Sequence, residues 1–346
     1  MKIGTFNINH SSPTFIIAEL SANHNGDLAT ALETVRAAKR AGADCIKLQT
    51  YTADTITIDS NREDFQVKGT IWEGKNLYQL YQEAYTPWEW HHEIMQVAKE
   101  EGLICFSSPF DPTSVDFLEK LDVPAYKIAS FEITDIPLIE YVASKGKPVI
   151  ISTGVATTED IELALDACKR MGNDQIALLK CTSSYPAPIE EANMVMVQDF
   201  QERFGVISGL SDHTMGSTVP VVATCFGAKI IEKHFILDRS IGGPDASFSM
   251  NEKEFTEMVK AVREAEKAIG EVDYELTEKQ KAGRNFSRSL YVVQSIEAGE
   301  TITNENIRSI RPGFGLHPKY LKDIMGRQVN ADLNKGDRFD LSHIKD

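Results

Sequence analysis

Gly209-Leu210-Ser211-Asp212-His213 and Ile230-Ile231-Glu232-Lys233-His234 are two apolar runs that turn polar and end in a histidine. They lie one strand-helix unit apart, so they read as neighbouring parallel strands. Imidazoles at the carboxyl ends of adjacent strands are placed to share one metal ion.

Working outward, six more short runs of the same kind alternate with helical periodicity. They are Phe15–Glu19, Cys45–Gln49, Ile104–Ser107, Ala125–Ile128, Pro148–Ser152 and Ile176–Lys180. With Val206–Leu210 and Lys229–Lys233 they make eight strands, each followed by a helical stretch. That repeat predicts a closed (β/α)8 barrel, and no glycine fingerprint follows the first strand to argue for a doubly wound sheet. Leu28, Leu32 and Val35 form one helical stripe; Phe255, Met258, Val259 and Val262 form another that stops at Gly270. Thr86-Pro87-Trp88-Glu89 and Thr157-Thr158-Glu159-Asp160 read as capped helix starts.

One connection breaks the pattern. The stretch 52–85, with Trp72, Tyr78, Tyr81 and Tyr85, far exceeds the about 2 to 6 residues usual after a barrel strand. It reads either as a lid over the barrel mouth or as a surface excursion packed on its own aromatics. Residues 1–270 are expected to form the barrel and 271–285 a charged linker. Residues 286–346, with short strand-like pieces and turns such as Arg311-Pro312-Gly313, form a small mainly-β module.

The formal net charge of -15 makes nucleic acid and anionic membranes poor partners. An anionic ligand must therefore meet a local group of cations. Five cysteines without a CxxC suit buried thiols in a reducing compartment. No signal peptide is recognised, and no run approaches the roughly 20 apolar residues of a membrane span. A soluble, cytoplasmic protein is expected.

In a barrel the chemistry gathers at the carboxyl ends of the strands. There the sequence places Glu19, Lys47, Gln49, Ser107, Ser108, Lys127, Ser130, Ser152, Lys180, Ser183, Tyr185, Ser211, His213, Lys233 and His234. Four lysines at one mouth, with hydroxyls and turn amides around them, suit phosphate and carboxylate groups. His213 and His234 are the candidate metal ligands. Two protein ligands leave positions open for water and substrate, and Mn2+ or another hard to borderline divalent cation, Mg2+ or Co2+ included, fits better than a closed zinc site. Glu19, ending an apolar strand, reads as a base or a substrate contact. His24 reads as a loop-stabilising residue and His91-His92 as a surface pair.

These strand ends carry a resemblance. Ile17-Ala18-Glu19-Leu20-Ser21-Ala22-Asn23-His24-Asn25-Gly26, Ile46-Lys47-Leu48-Gln49-Thr50, Ser107-Ser108-Pro109-Phe110-Asp111, Tyr126-Lys127-Ile128-Ala129-Ser130, Ser152-Thr153-Gly154, Cys181-Thr182-Ser183-Ser184-Tyr185-Pro186, Gly209–His213 and Glu232–Phe235 resemble the sialic acid synthase family in order and spacing. The last sixty or so residues resemble the antifreeze-like (SAF) domain that follows the barrel there. Ala18–Asn23, Trp72, Leu77–Tyr81 and Thr86–Trp90 are most similar to its pseudaminic branch.

The resemblance implies condensation of phosphoenolpyruvate with an open-chain acetamido sugar, giving a nine-carbon 2-keto acid and phosphate for cell-surface glycans. In the pseudaminic branch the sugar is 2,4-diacetamido-2,4,6-trideoxy-L-altrose; the neighbouring branches use N-acetylmannosamine or a diacetamido trideoxy mannose. Lys47, Ser108, Lys127, Ser130, Ser152, Ser183 and Ser211 are implied to hold phosphoenolpyruvate, and His213 and His234 the divalent ion. Glu19, Gln49, Tyr185 and Asp245 would contact the sugar or move protons. Arg311 would reach the site of a second subunit in a domain-swapped homodimer. Ser183 departs from the asparagine common in the sialic acid branch. Two other readings are a metal-free aldolase using a lysine Schiff base, and a carbohydrate-binding assembly protein.

Overall fold

The computed structural model describes residues 1–345. They form two compact units, residues 1–270 and a C-terminal unit beginning at Glu271. The first opens with a two-stranded hairpin, β1 (Lys2–Ile3) and β2 (Phe6–Asn7), which the sequence pattern did not reveal. Ile3 and Ile8 are fully buried, and Phe6 packs on Phe15 with ring centroids 4.9 Å apart. The hairpin thereby covers the amino-terminal end of the barrel with apolar surface.

Eight parallel strands follow: β3 (Phe15–Glu19), β4 (Cys45–Thr50), β5 (Ile104–Pro109), β6 (Tyr126–Ile128), β7 (Val149–Ser152), β8 (Ile176–Cys181), β9 (Ile207–Asp212) and β10 (Ile230–His234). They pair in order and close where β10 meets β3, with Ile230 opposite Phe15 and His234 opposite Glu19. Both faces of these strands are covered, so they read as nearly unbroken apolar runs until the last residues. The register between β9 and β10 sets Ser211 beside Glu232.

Helices separate the strands where the periodic stripes fall. Asp27 caps Leu28–Arg40, and Thr157 with Asp160 forms a capping box on Thr158–Arg170. Thr86 does not cap a helix. Pro87 is extended, a 3-10 turn covers Trp88–Trp90, and the helix His91–Glu100 starts without a side-chain cap. The Thr86 hydroxyl pairs instead with His24 Nε2 at 3.1 Å. His91 is buried against Thr50 Oγ1 at 2.8 Å, which corrects the surface assignment; only His92 is exposed. Four of the cysteines are buried thiols, but Cys225 is exposed.

The C-terminal unit begins with a helix at Glu278–Gly283, inside the stretch read as linker. It continues with β11 (Ser289–Val292) paired antiparallel to β12 (Ile307–Ile310). Leu290, Val292, Ile302, Ile307, Val329 and Phe339 make its separate core. Among the described residues no helix is long and apolar enough to cross a membrane.

Candidate active site

The carboxyl ends of the barrel strands open on one cavity. Strand β3 supplies Glu19, β4 Lys47 and Gln49, β6 Lys127, β7 Ser152, β8 Cys181, β9 Ser211, and β10 both Glu232 and His234. Residues two apart in a strand share a face, so Lys47 arrives with Gln49 and Glu232 with His234. The following turns add Ser21, Ser130, Glu132, Tyr185, His213 and Asp245.

Four buried charges meet at the centre. Lys47 Nζ lies 2.5 Å from Glu19 Oε2 and 3.6 Å from Glu232 Oε1, which lies 3.7 Å from Lys127 Nζ. Burial pushes the Glu19 carboxyl up to about 7, against the pull of Lys47. Burial acts on Glu232 in the same sense, yet Lys127 and Lys47 together hold it below its ordinary range. Burial lowers Lys127; it also opposes the charge on Lys47, where Glu19 and Glu232 outweigh it and raise the ammonium.

Glu19 Oε1, Glu232 Oε2 and Ser152 Oγ are buried without a hydrogen-bond partner, whereas Glu19 Oε2 meets the Lys47 ammonium. Such atoms are rare in folded proteins. Here they face a cavity, so a polar ligand is what completes them.

A shelf of hydroxyls adjoins the charges. Ser130 Oγ accepts from the Gly154 amide at 3.1 Å. A Cβ at Gly154 would stand 2.1 Å from Ser183 Oγ and 2.8 Å from Ser130 Oγ, so only glycine lets this amide approach the two serines. Ser108 is sealed behind Lys47 and accepts from its Nζ at 3.2 Å. Of the seven serines and lysines assigned to phosphoenolpyruvate, Lys47, Lys127, Ser130, Ser152 and Ser211 line the cavity directly. Ser108 is outside the lining and touches it only through its bond to Lys47, and Ser183 stands beside Gly154.

The two histidines do come together, with ring centroids 5.3 Å apart. His213 Nδ1 is 3.0 Å from the Thr182 carbonyl, so this nitrogen donates. Burial opposes a charge on the ring, but Cys181, with Sγ 3.8 Å from the same nitrogen, outweighs it and raises His213 above its ordinary range, so the other ring nitrogen carries a lone pair only in the neutral form. His234 is kept neutral by burial, reinforced by His213, Lys47 and the other nearby cations. Its Nδ1 has no hydrogen-bond partner and lies 3.7 Å from Asp245 Oδ2. Asp245 in turn accepts from the Ser21 hydroxyl at 2.5 Å. His24 is not part of this group: its Nδ1 accepts from the Gly26 amide at 3.1 Å and it holds the loop after β3.

The ring of four lysines is corrected to two. Lys233 points away from the cavity into a buried pair with Asp212 at 2.5 Å, and Lys180 donates to the Cys181 carbonyl at 2.7 Å. Each is one residue out of phase with a cavity-facing neighbour, His234 and Cys181. Conversely, Glu232 and Glu132 were missed. Glu132 lines the cavity with Oε2 buried and unpaired, and burial pushes it up to about 7.

The insertion over 52–85 brings Ile56, Trp72, Leu80, Tyr81 and Ala84 to the cavity. Trp72 packs on Tyr185 at 5.4 Å and its Nε1 donates to the Pro244 carbonyl at 2.8 Å. It is therefore a wall of the site and not an excursion packed only on itself. Arg311 belongs to the C-terminal unit, where it is exposed.

Both units of the chain match known families. Residues 34–274 match the NeuB family and residues 287–345 the SAF domain. The chain is 47% identical over its full length, and the relative's, to the pseudaminic acid synthase of Campylobacter jejuni subsp. jejuni serotype O:23/36 (strain 81-176). It is 47% identical to the pseudaminic acid synthase of Helicobacter pylori (strain ATCC 700392 / 26695), over 93% of this chain and 95% of that one. Among solved structures, the N-acetylneuraminic acid synthetase of Leptospira borgpetersenii serovar Hardjo-bovis superposes with a TM-score of 0.72 at 31% identity, over 82% of this chain and 94% of that one. With its barrel, its C-terminal module and these relatives, the chain belongs to the NeuB family.

Proposed function

We propose that this enzyme condenses phosphoenolpyruvate and water with 2,4-diacetamido-2,4,6-trideoxy-L-altrose, giving pseudaminic acid and phosphate. The observation that carries the reading is the placing of two buried ammonium groups, a row of serines and an imidazole pair in one cavity. The printed names of the relatives at 47% identity support the choice of sugar.

Lys47 and Lys127, with Ser130, Ser152, Ser211 and the Gly154 amide, would hold the phosphate and carboxylate of phosphoenolpyruvate. The new C–C bond joins its C3 to the aldehyde carbon of the sugar. Water then adds to the electron-poor C2, passing a proton to a base, and the C2–O bond to phosphate breaks. Glu19, poised near neutrality, suits that proton. Gln49, Tyr185 and Asp245 would hold the sugar chain, and a second copy of the chain in a domain-swapped homodimer would supply Arg311.

The donor set also fits a divalent cation, Mn2+ first and Mg2+ or Co2+ as alternatives. His213, once neutral, would offer the ring nitrogen that does not face Thr182, and His234 Nδ1 is an orphaned buried atom 3.7 Å from the Asp245 carboxylate. Bound there, the ion would polarise the sugar's aldehyde oxygen. Equilibrium dialysis should find one Mn2+ per chain, with affinity lowered about 10- to 100-fold or more in His234→Ala. Equal binding by both proteins removes the assignment.

Turnover is tested by phosphate release from phosphoenolpyruvate with the diacetamido trideoxy altrose, its mannose-configured counterpart and N-acetylmannosamine. Run in oxygen-18 water, the reaction is expected to favour the altrose and to leave the phosphate unlabelled. Labelled phosphate would mean P–O cleavage and end the proposal. A preference for either other sugar moves the enzyme to a neighbouring branch, and no phosphate with any sugar leaves the carbohydrate-binding reading.

A further inference from the structure

The cavity has two unlike halves. Barrel strands supply charges, hydroxyls and imidazoles, whereas the 52–85 insertion supplies Ile56, Trp72, Leu80, Tyr81 and Ala84. Four of those five offer a bound molecule no hydrogen bond. Ile56, Leu80 and Ala84 have no polar side-chain atom, and the single N–H of Trp72 is already donated to the Pro244 carbonyl at 2.8 Å. The wall is also held in place. Trp72 packs on Tyr185, and Tyr81 stands edge-on to Tyr51 at 5.6 Å, which in turn meets Phe110 at 5.1 Å. Leu80 is 8% exposed.

We infer that this wall is the specificity element for the sugar's far end: it takes the methyl group of a 6-deoxy sugar and discriminates against one with a hydroxyl at C6. The inference rests on the functional reading above. The reacting aldehyde belongs at the imidazole pair and the ammonium groups. Tyr185 packs on His213 at 4.5 Å and Trp72 on Tyr185 at 5.4 Å, so the insertion begins one ring beyond the imidazoles, within the span of an open six-carbon chain held there by its aldehyde. A methyl there buries apolar surface against Leu80, Ile56 and the Trp72 ring. A primary hydroxyl set against Leu80, Ile56 and the Trp72 ring loses its water without gaining a partner from them; apart from the donated Trp72 N–H, the Tyr81 hydroxyl is the one polar side-chain group the insertion brings to the cavity. An apolar pocket rejects an added hydroxyl only about 10²-fold, so preference rather than exclusion is expected.

The experiment compares kcat/KM for the 6-deoxy diacetamido sugar and for the same sugar carrying a C6 hydroxyl. Wild type should prefer the deoxy sugar by about 10²-fold. Leu80→Gln, which sets a hydrogen-bonding amide in the wall, should shrink that ratio about tenfold or more while KM for phosphoenolpyruvate stays the same. Ile56→Thr, a smaller change near the edge, should shift the ratio the same way and guards against misfolding of the first variant. Equal use of both sugars by wild type, or an unchanged ratio in both variants, overturns the assignment of the wall while leaving the synthase reading intact. Absence of phosphate release from wild type with every sugar overturns the synthase reading and this inference together.

Discussion

Glu19→Gln should lower kcat by about 10³-fold, within the range of 10² to 10⁴ attributed to general acid-base catalysis. The substitution keeps size and shape and removes both the capacity to exchange a proton and the charge that meets Lys47, so unfolding is measured alongside turnover to separate the two. Glu19 is 1% exposed and sits 2.5 Å from Lys47. Its carboxyl is pushed up to about 7, with burial the largest cause. A base must be ionised to act, so kcat/KM should rise with pH through about 7 and then level off. In Glu19→Gln this inflection should disappear. An inflection near 6 that survives belongs to ionisation of the substrate's phosphate. A variant with wild-type turnover, or with the same inflection near 7, would take the proton-transfer role away from Glu19.

The fold was legible because its signal is repeated. Each strand is a buried apolar run that turns polar at its last residues, and eight such runs at regular intervals leave little choice but a closed barrel. The candidate site was legible where polar residues obey the two-residue period: Lys47 with Gln49, and Ser211 with His213. It was misread where position in the chain was counted without the period. Lys233 sits between Glu232 and His234 and therefore faces the other way, into Asp212. Lys180 precedes the cavity-facing Cys181 and points outward too. Applying the same alternation to Ile230–His234 would have chosen Glu232, the buried carboxylate between two lysines.

Other features had no local signal. Thr86 has the sequence of a helix cap, but His24, distant in the chain, takes its hydroxyl. A tertiary partner outweighs a cap contact of about 1 kcal/mol. The hairpin β1–β2 is too short to show alternation, and only its burial against Phe15 in three dimensions marks it as an element. The insertion's aromatic content suggested a lid, while its role as a wall depends on Trp72 reaching Tyr185 and Pro244 from far along the chain.

Lys127→Met should reduce kcat/KM for phosphoenolpyruvate by at least about 10³-fold, because it removes one of the two ammonium groups facing the anionic substrate and leaves Glu232 less compensated. The stability effect separates binding from architecture. Breaking a buried pair by removing one partner strands the other's charge at a cost of about 3 kcal/mol or more. Glu232→Gln should be destabilising for the same reason, since Lys127 then has no carboxylate within ion-pair distance. Removing both charges, in Lys127→Met/Glu232→Gln, should cost less than the sum of the single changes by about 1 to 3 kcal/mol, read from thermal or urea unfolding of the barrel. Activity should not recover in the double variant, because the substrate needs the positive charge and not merely a neutral, stable cavity. Additive stability losses would show that Lys127 and Glu232 do not act as a pair. Recovered turnover would show that the lysine serves the fold and leaves phosphoenolpyruvate to Lys47 and the serines.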